Sequence, residues 1–177
     1  MVQQEFILHQ LILFYNDLND QLIFATMKQL QQQLSGLQSH ISHYELLNPL
    51  VSQASVGWHI EHSLLVINGI IKTLQTSDPT KYHRTFNLRK TLVLLVGTFP
   101  RGRAKAPESV TPQSYDKATL LTHAATTENK LKELEMISAG QFFKHPLFGH
   151  LKVKDAIRFI GIHTKHHLDI IEDIVKK

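Results

Sequence analysis

Apolar positions along the chain recur with a helical period, and four long stretches carry it. Residues 3 to 42 contain one glycine and no proline and read as helix, with breaks expected near Asn16 to Asp20 and at Gly36. A second helix begins where Ser52 or Ser55 can cap it and runs to about Leu74. Its stripe of Ile60, Leu64, Ile67, Ile71 and Leu74 advances in steps of 4, 3, 4 and 3. Ser77-Asp78-Pro79 closes it. Thr111-Pro112 offers a cap and a first-turn proline for a third helix that reaches about Ile137 and turns Leu121, Ala124, Leu131 and Leu134 inward. A last helix runs from about Lys152 to the C-terminus. Four of the six prolines fall between the second and third helices, where Thr91 to Gly97 fits either helix or strand. Gln141 to His150 reads as an aromatic-rich loop. The expected fold is an all-α four-helix bundle with a long crossover between helices 2 and 3. The apolar pattern before Met27 is separate, so residues 1–26 are expected to form an N-terminal helical extension and 27–177 the bundle.

Composition narrows the chemistry. A chain of 177 residues that is 42% hydrophobic fits one folded domain with a real core. It has no cysteine, which excludes disulfides, thiolate zinc sites, iron–sulfur clusters and a cysteine nucleophile. Any thiol in its chemistry must arrive on another molecule. The apolar run Phe6 to Tyr15 is interrupted by His9 and Gln10, and no stretch reaches the roughly 18 apolar residues of a membrane span. With no basic region and cleavage site at the start, the expected location is cytoplasmic. The net charge of +4 is local in origin. No acid lies between Asp78 and Glu108, a stretch holding Lys81, Arg84, Arg89, Lys90, Arg101, Arg103 and Lys105.

The 12 histidines are the second anomaly. In the last helix Val153, Ala156, Ile160, His163, His167, Ile170 and Ile174 follow at steps of 3 and 4, which puts two histidines on the core seam one turn apart. Cβ atoms at i and i+4 lie about 5–6 Å apart, close enough for both rings to bind one ion. Neutral imidazole suits Zn, Ni, Fe or Cu. The alternative is a pair of partly buried histidines bonded to their neighbours. His166 flanks the seam. For a third ligand the second helix offers Trp58-His59-Ile60-Glu61-His62, where periodicity places His59 nearer the apolar centre than His62. Glu128 could approach from the third helix or stand as a solvated carboxylate.

These elements resemble the DinB/YfiT-like superfamily of metal-binding four-helix bundles. The chain is similar in particular to an uncharacterised family within it that ends in a His-Pro-x-Phe-Gly loop and a His-x-x-His-His helix. Here the matching runs are His145-Pro146-Leu147-Phe148-Gly149 and His163-Thr164-Lys165-His166-His167, with Gly57-Trp58-His59-Ile60-Glu61-His62 upstream. The likeness covers roughly residue 28 to the end. It implies that His62, His163 and His167 bind one divalent metal (Zn, Ni or Fe) with positions left open. His59, His166 and Glu128 then stand as supporting or alternative ligands.

An open three-histidine site suits catalysis, and some members of the superfamily are thiol transferases that activate bacillithiol, mycothiol or a similar low-molecular-weight thiol. The expected function is therefore a metal-dependent enzyme, a thiol transferase or hydrolase, acting on a small anionic substrate with a possible thiol cosubstrate. Arg101, Arg103 and Lys105 could hold a carboxylate or phosphate, or form a solvated loop. A metal- or ligand-binding stress-response bundle without turnover is the second class. A nucleic-acid-associated protein using the basic segment 81–105 comes last, because Tyr82, Phe86 and Phe99 are its only aromatics and no recognition motif is visible. Phe142, Phe143 and Phe148 suit a core or dimer contact, and a homodimer is expected from superfamily habit and the extra N-terminal helix.

Overall fold

The structure is a computed structural model and describes residues 2–84, 86–102 and 106–176. It is mostly helical, with α1 (Val2–Ser39), α2 (Val56–Thr76), α3 (Leu88–Val96), α4 (Lys117–Glu133), a hairpin of β1 (Phe142–His145) and β2 (Gly149–Lys152), and α5 (Val153–Val175). Helix α5 packs against α1 and α2, and α4 packs against the same two helices. The four long helices thus close a ring around one core.

The periodic stripes account for that core. Ile60, Leu64, Ile67, Ile71 and Leu74 of α2 are all buried, as are Val153, Ala156, Ile160, Ile170 and Ile174 of α5. Among the described side chains of α1, the buried apolar positions begin at Met27 and continue through Leu30, Leu34 and Leu37. Removing each such Ile, Leu, Val or Met side chain from water contributes about 1.5–3 kcal/mol. Earlier in the same helix Phe6, Phe14 and Phe24 are 62–71% exposed. No helix among the described residues is long and apolar enough to cross a membrane.

Four expectations need correction. Helix α1 runs unbroken through residues 16–20 and Gly36, and a Cβ at Gly36 would come within 3.3 Å of Leu168, so this glycine permits close packing on α5. Helix α4 starts at Lys117, not at Thr111. Asp116 accepts from the Thr119 backbone N–H, and the Thr119 hydroxyl oxygen accepts from the Asp116 N–H, a reciprocal cap stronger than Thr111-Pro112. Its inward residues are Leu120, Ala124, Thr127 and Leu131, whereas Leu121 is 50% exposed. The loop from Gln141 to His150 contains the antiparallel hairpin, paired from Phe142↔Lys152 to His145↔Gly149.

The crossover contains a helix, α3, capped by the Asn87 side chain and ended by Gly97 at φ 74°. His145 closes the hairpin turn, its Nδ1 accepting from the Leu147 and Phe148 N–H groups at 3.0 and 3.2 Å while its ring stacks on Phe148. Phe142 and Phe148 are buried.

Candidate metal centre

Two helices supply the site. The α5 seam presents His163 and His167 one turn apart, and α2 presents His59 and His62 from its first two turns. The start of α2 is fixed by Ser55, whose side chain accepts from the Trp58 N–H and pairs with the Tyr115 hydroxyl. Gly57 lets this end pack tightly: a Cβ there would lie 2.6 Å from the Tyr115 ring and 2.9 Å from the Tyr44 carbonyl.

His62, His163 and His167 each offer a ring nitrogen, and these three atoms lie within 4.8 Å of one another. His62 Nε2 and His163 Nε2 are 3.2 Å apart. Two ligands about 2.0–2.1 Å from one ion in tetrahedral array sit about 3.4 Å apart, so the His62–His163 spacing fits a shared metal, and the wider 4.8 Å span of the three would have to close around it. The outer nitrogens are engaged elsewhere: His62 Nδ1 donates to the Val110 carbonyl at 2.7 Å, and His167 Nδ1 lies 2.9 Å from His59 Nδ1. His163 Nδ1 is buried without a hydrogen-bond partner. These three side chains could hold a metal ion.

The electrostatics favour neutral rings. Burial lowers the affinity of His163 and His167 for protons well below the usual histidine range, and the neighbouring histidines add to the effect. Burial, then His62, His166 and Arg101, takes His59 down to about 4. Burial also lowers His62, opposed by its bond to the Val110 carbonyl. Uncharged imidazoles with inward lone pairs are the form that binds metal.

Aromatic rings cover the cluster. Trp58 stacks on His62 with centroids 4.8 Å apart, and Phe99, from the crossover, meets His163 and His166 edge-on. The segment from Phe99 to Val110 therefore touches the cluster at both ends.

No family model matches the chain, and neither a curated protein nor a solved structure is significantly similar to it. The chemistry of the site is carried by its own residues.

The remaining candidates fall in different places. His59 is buried between His167 and Ser52, and His166 is half-buried with its ring edge-on to His167. Glu128 is exposed on α4 and is not grouped with the three histidines. Arg101 forms a 2.7 Å ion pair with Asp173 of α5, while Arg103 and Lys105 lie outside the described residues. Sequence patterns did not point to Trp58 as the cover of His62, to the Val110 carbonyl or to Ser52 as a partner of His59. The only sign of Ser52 was that two serines competed as cap of α2 and one was left over.

Proposed function

We propose that the chain is a metal-dependent enzyme of the DinB/YfiT-like type, holding one divalent ion on His62, His163 and His167. One observation carries the reading: three neutral ring nitrogens converge within 4.8 Å with no carboxylate among them. A buried histidine ordinarily finds a hydrogen-bond partner for each nitrogen, whereas His163 Nδ1 here is buried with none. A divalent ion held there would supply Lewis acidity and leave positions for water or a small thiol.

The chain's own residues define the surroundings. Trp58 and Phe99 line two sides of the cluster. Arg101 is near enough to depress the proton affinity of His59 and His166, and this guanidinium is the group suited to an anionic substrate. A substrate carboxylate or phosphate would compete with Asp173 for it.

The test is elemental analysis of the full chain, purified without a His tag or added metal, beside His163→Ala and His167→Ala. Near-stoichiometric Zn, Ni or Fe, lost in both variants, supports the site. Turnover of a low-molecular-weight thiol with an electrophile, or hydrolysis of an anionic ester, then separates an enzyme from a bundle that only binds. Equal metal content in all three proteins defeats the ligand assignment.

A further inference from the structure

His59 is buried beside the three proposed ligands, 4% exposed, and both of its ring nitrogens are engaged. Nδ1 lies 2.9 Å from His167 Nδ1, and Nε2 lies 2.9 Å from Ser52 Oγ. Building on the metal reading above, we propose that His59, seated on Ser52, is a positioning residue. It fixes His167 as the tautomer whose Nε2 lone pair faces the other two ligands.

The assignment follows from one backbone carbonyl. Val110 O can only accept, so an uncharged His62 carries its single proton on Nδ1 and has a bare Nε2. The 3.2 Å contact between His62 Nε2 and His163 Nε2 is then a hydrogen bond only with the proton on His163. That leaves a bare lone pair on His163 Nδ1, the atom that has no partner. The bond also occupies the lone pair of His62 Nε2. A second inward proton, on His167 Nε2, would find neither inward nitrogen free to accept it: the lone pair of His62 Nε2 is taken and His163 Nε2 carries a proton.

His167 therefore keeps its proton on Nδ1 and donates it to His59 Nδ1. His59 in turn holds its proton on Nε2 and donates to Ser52 Oγ. The serine oxygen also accepts from the Ala54 N–H at 3.1 Å, so both of its lone pairs are filled. Each of the four imidazoles holds one proton, and each hydrogen bond has one donor. Two of the three ligand nitrogens are bare before an ion arrives. Only His163 must move its proton, from Nε2 to Nδ1, and no proton is gained or lost overall. Reversing the His59–His167 bond would instead present an N–H where a ligand lone pair is needed. Partners of this kind typically alter metal affinity by about 10–100-fold.

The experiment is long-range ¹H–¹⁵N correlation NMR of the metal-free full chain labelled at histidine, followed by Zn titration of the same proteins. Wild type is expected to show the proton on Nδ1 of His167 and on Nε2 of His59. In His59→Leu, His167 is expected to become a mixture of tautomers, with Zn affinity about 10–100-fold lower at unchanged stoichiometry. His59→Gln, whose amide oxygen can accept from His167 Nδ1, is expected to restore most of both. If His59→Leu does not fold, Ser52→Ala reads the same line with a smaller shift. A wild-type His167 protonated on Nε2, or a His59→Leu protein with unchanged tautomer and affinity, overturns the proposal. A wild type that takes up no Zn defeats the metal reading alone, because the NMR result still decides the tautomer.

Discussion

Helix α2 carries histidine chemistry on two sides, and the two sides are built differently. Towards α5, His59 and His62 meet His167 and His163 nitrogen to nitrogen, with no carboxylate between them. Towards α4, Glu61 receives both of its contacts from His123 Nδ1, at 2.9 and 3.0 Å, and Asn68 donates to His123 Nε2. On the α4 side both ring nitrogens of His123 have a partner of the opposite kind, and the unpartnered atom is Asn68 Oδ1. The α5 side has no acid among its histidines and leaves His163 Nδ1 without a partner. A histidine supplied with an acid ties two helices together; histidines whose nitrogens face one another without an acid could hold a cation.

The largest expected effect sharpens that difference directly. His167→Ala or His163→Ala removes a proposed ligand, and bound metal is expected to fall to background by elemental analysis, whereas His123→Ala leaves it at the wild-type level. The next tests protonation. His59 and His145 are lowered to about 4, both by burial, and His163 and His167 lie well below the usual value of 6.5. These groups stay neutral in the folded chain while the unfolded chain takes up protons. Their contribution is thus complete above about pH 6.5 and declines as pH falls towards 4, by about 1.4 kcal/mol per pH unit for each such histidine. Circular dichroism against pH is expected to show unfolding within that window, displaced to lower pH by saturating Zn.

Smaller effects belong to the α4 side and the surface. Glu61→Gln removes the acid from a largely buried pair, and a loss of about 1–3 kcal/mol in urea denaturation is expected, with metal content unchanged. Arg101→Gln breaks a half-exposed ion pair, for which about 0–1 kcal/mol of stability is expected. For the proposed enzyme, the clearer readout is a raised KM for an anionic substrate with metal content unchanged. Metal loss in Glu61→Gln would erase the distinction between the two sides.

Much of this was legible in the sequence where one face meets one core. The α2 and α5 stripes gave helix, inward face and the His163–His167 pair together, because a period of 3.6 fixes all three. The start of α4 was not legible in the same way. Thr111-Pro112 and Asp116 are both sound local caps, and the choice fell to Asp116 with Tyr115 tied to Ser55 across the fold. Moving the start shifted the inward residue from Leu121 to Leu120, a rotation of about 100°. The hairpin is too short to show alternation and owes its turn to the His145 ring. Periodicity favoured His59 over His62, and the resemblance favoured His62. Both lie on the buried face, and only the distances separate the histidine in the cluster from the one behind it. Glu61 and His123 are 62 residues apart, and no local pattern joins them.

The tight seat of Gly57 has a consequence for mutational tolerance. A substitution scan scored on retained metal would be expected to lose His62, His163 and His167, but it would also lose a position that has no side chain to contribute. Any methyl at Gly57 runs into the Tyr115 ring, which is pinned by its hydroxyl, and into a backbone oxygen that cannot rotate away. The strain would be relieved by tilting the first two turns of α2, carrying Trp58, His59 and His62 with them. The most intolerant position outside the ligands would then be one valued for the room it leaves.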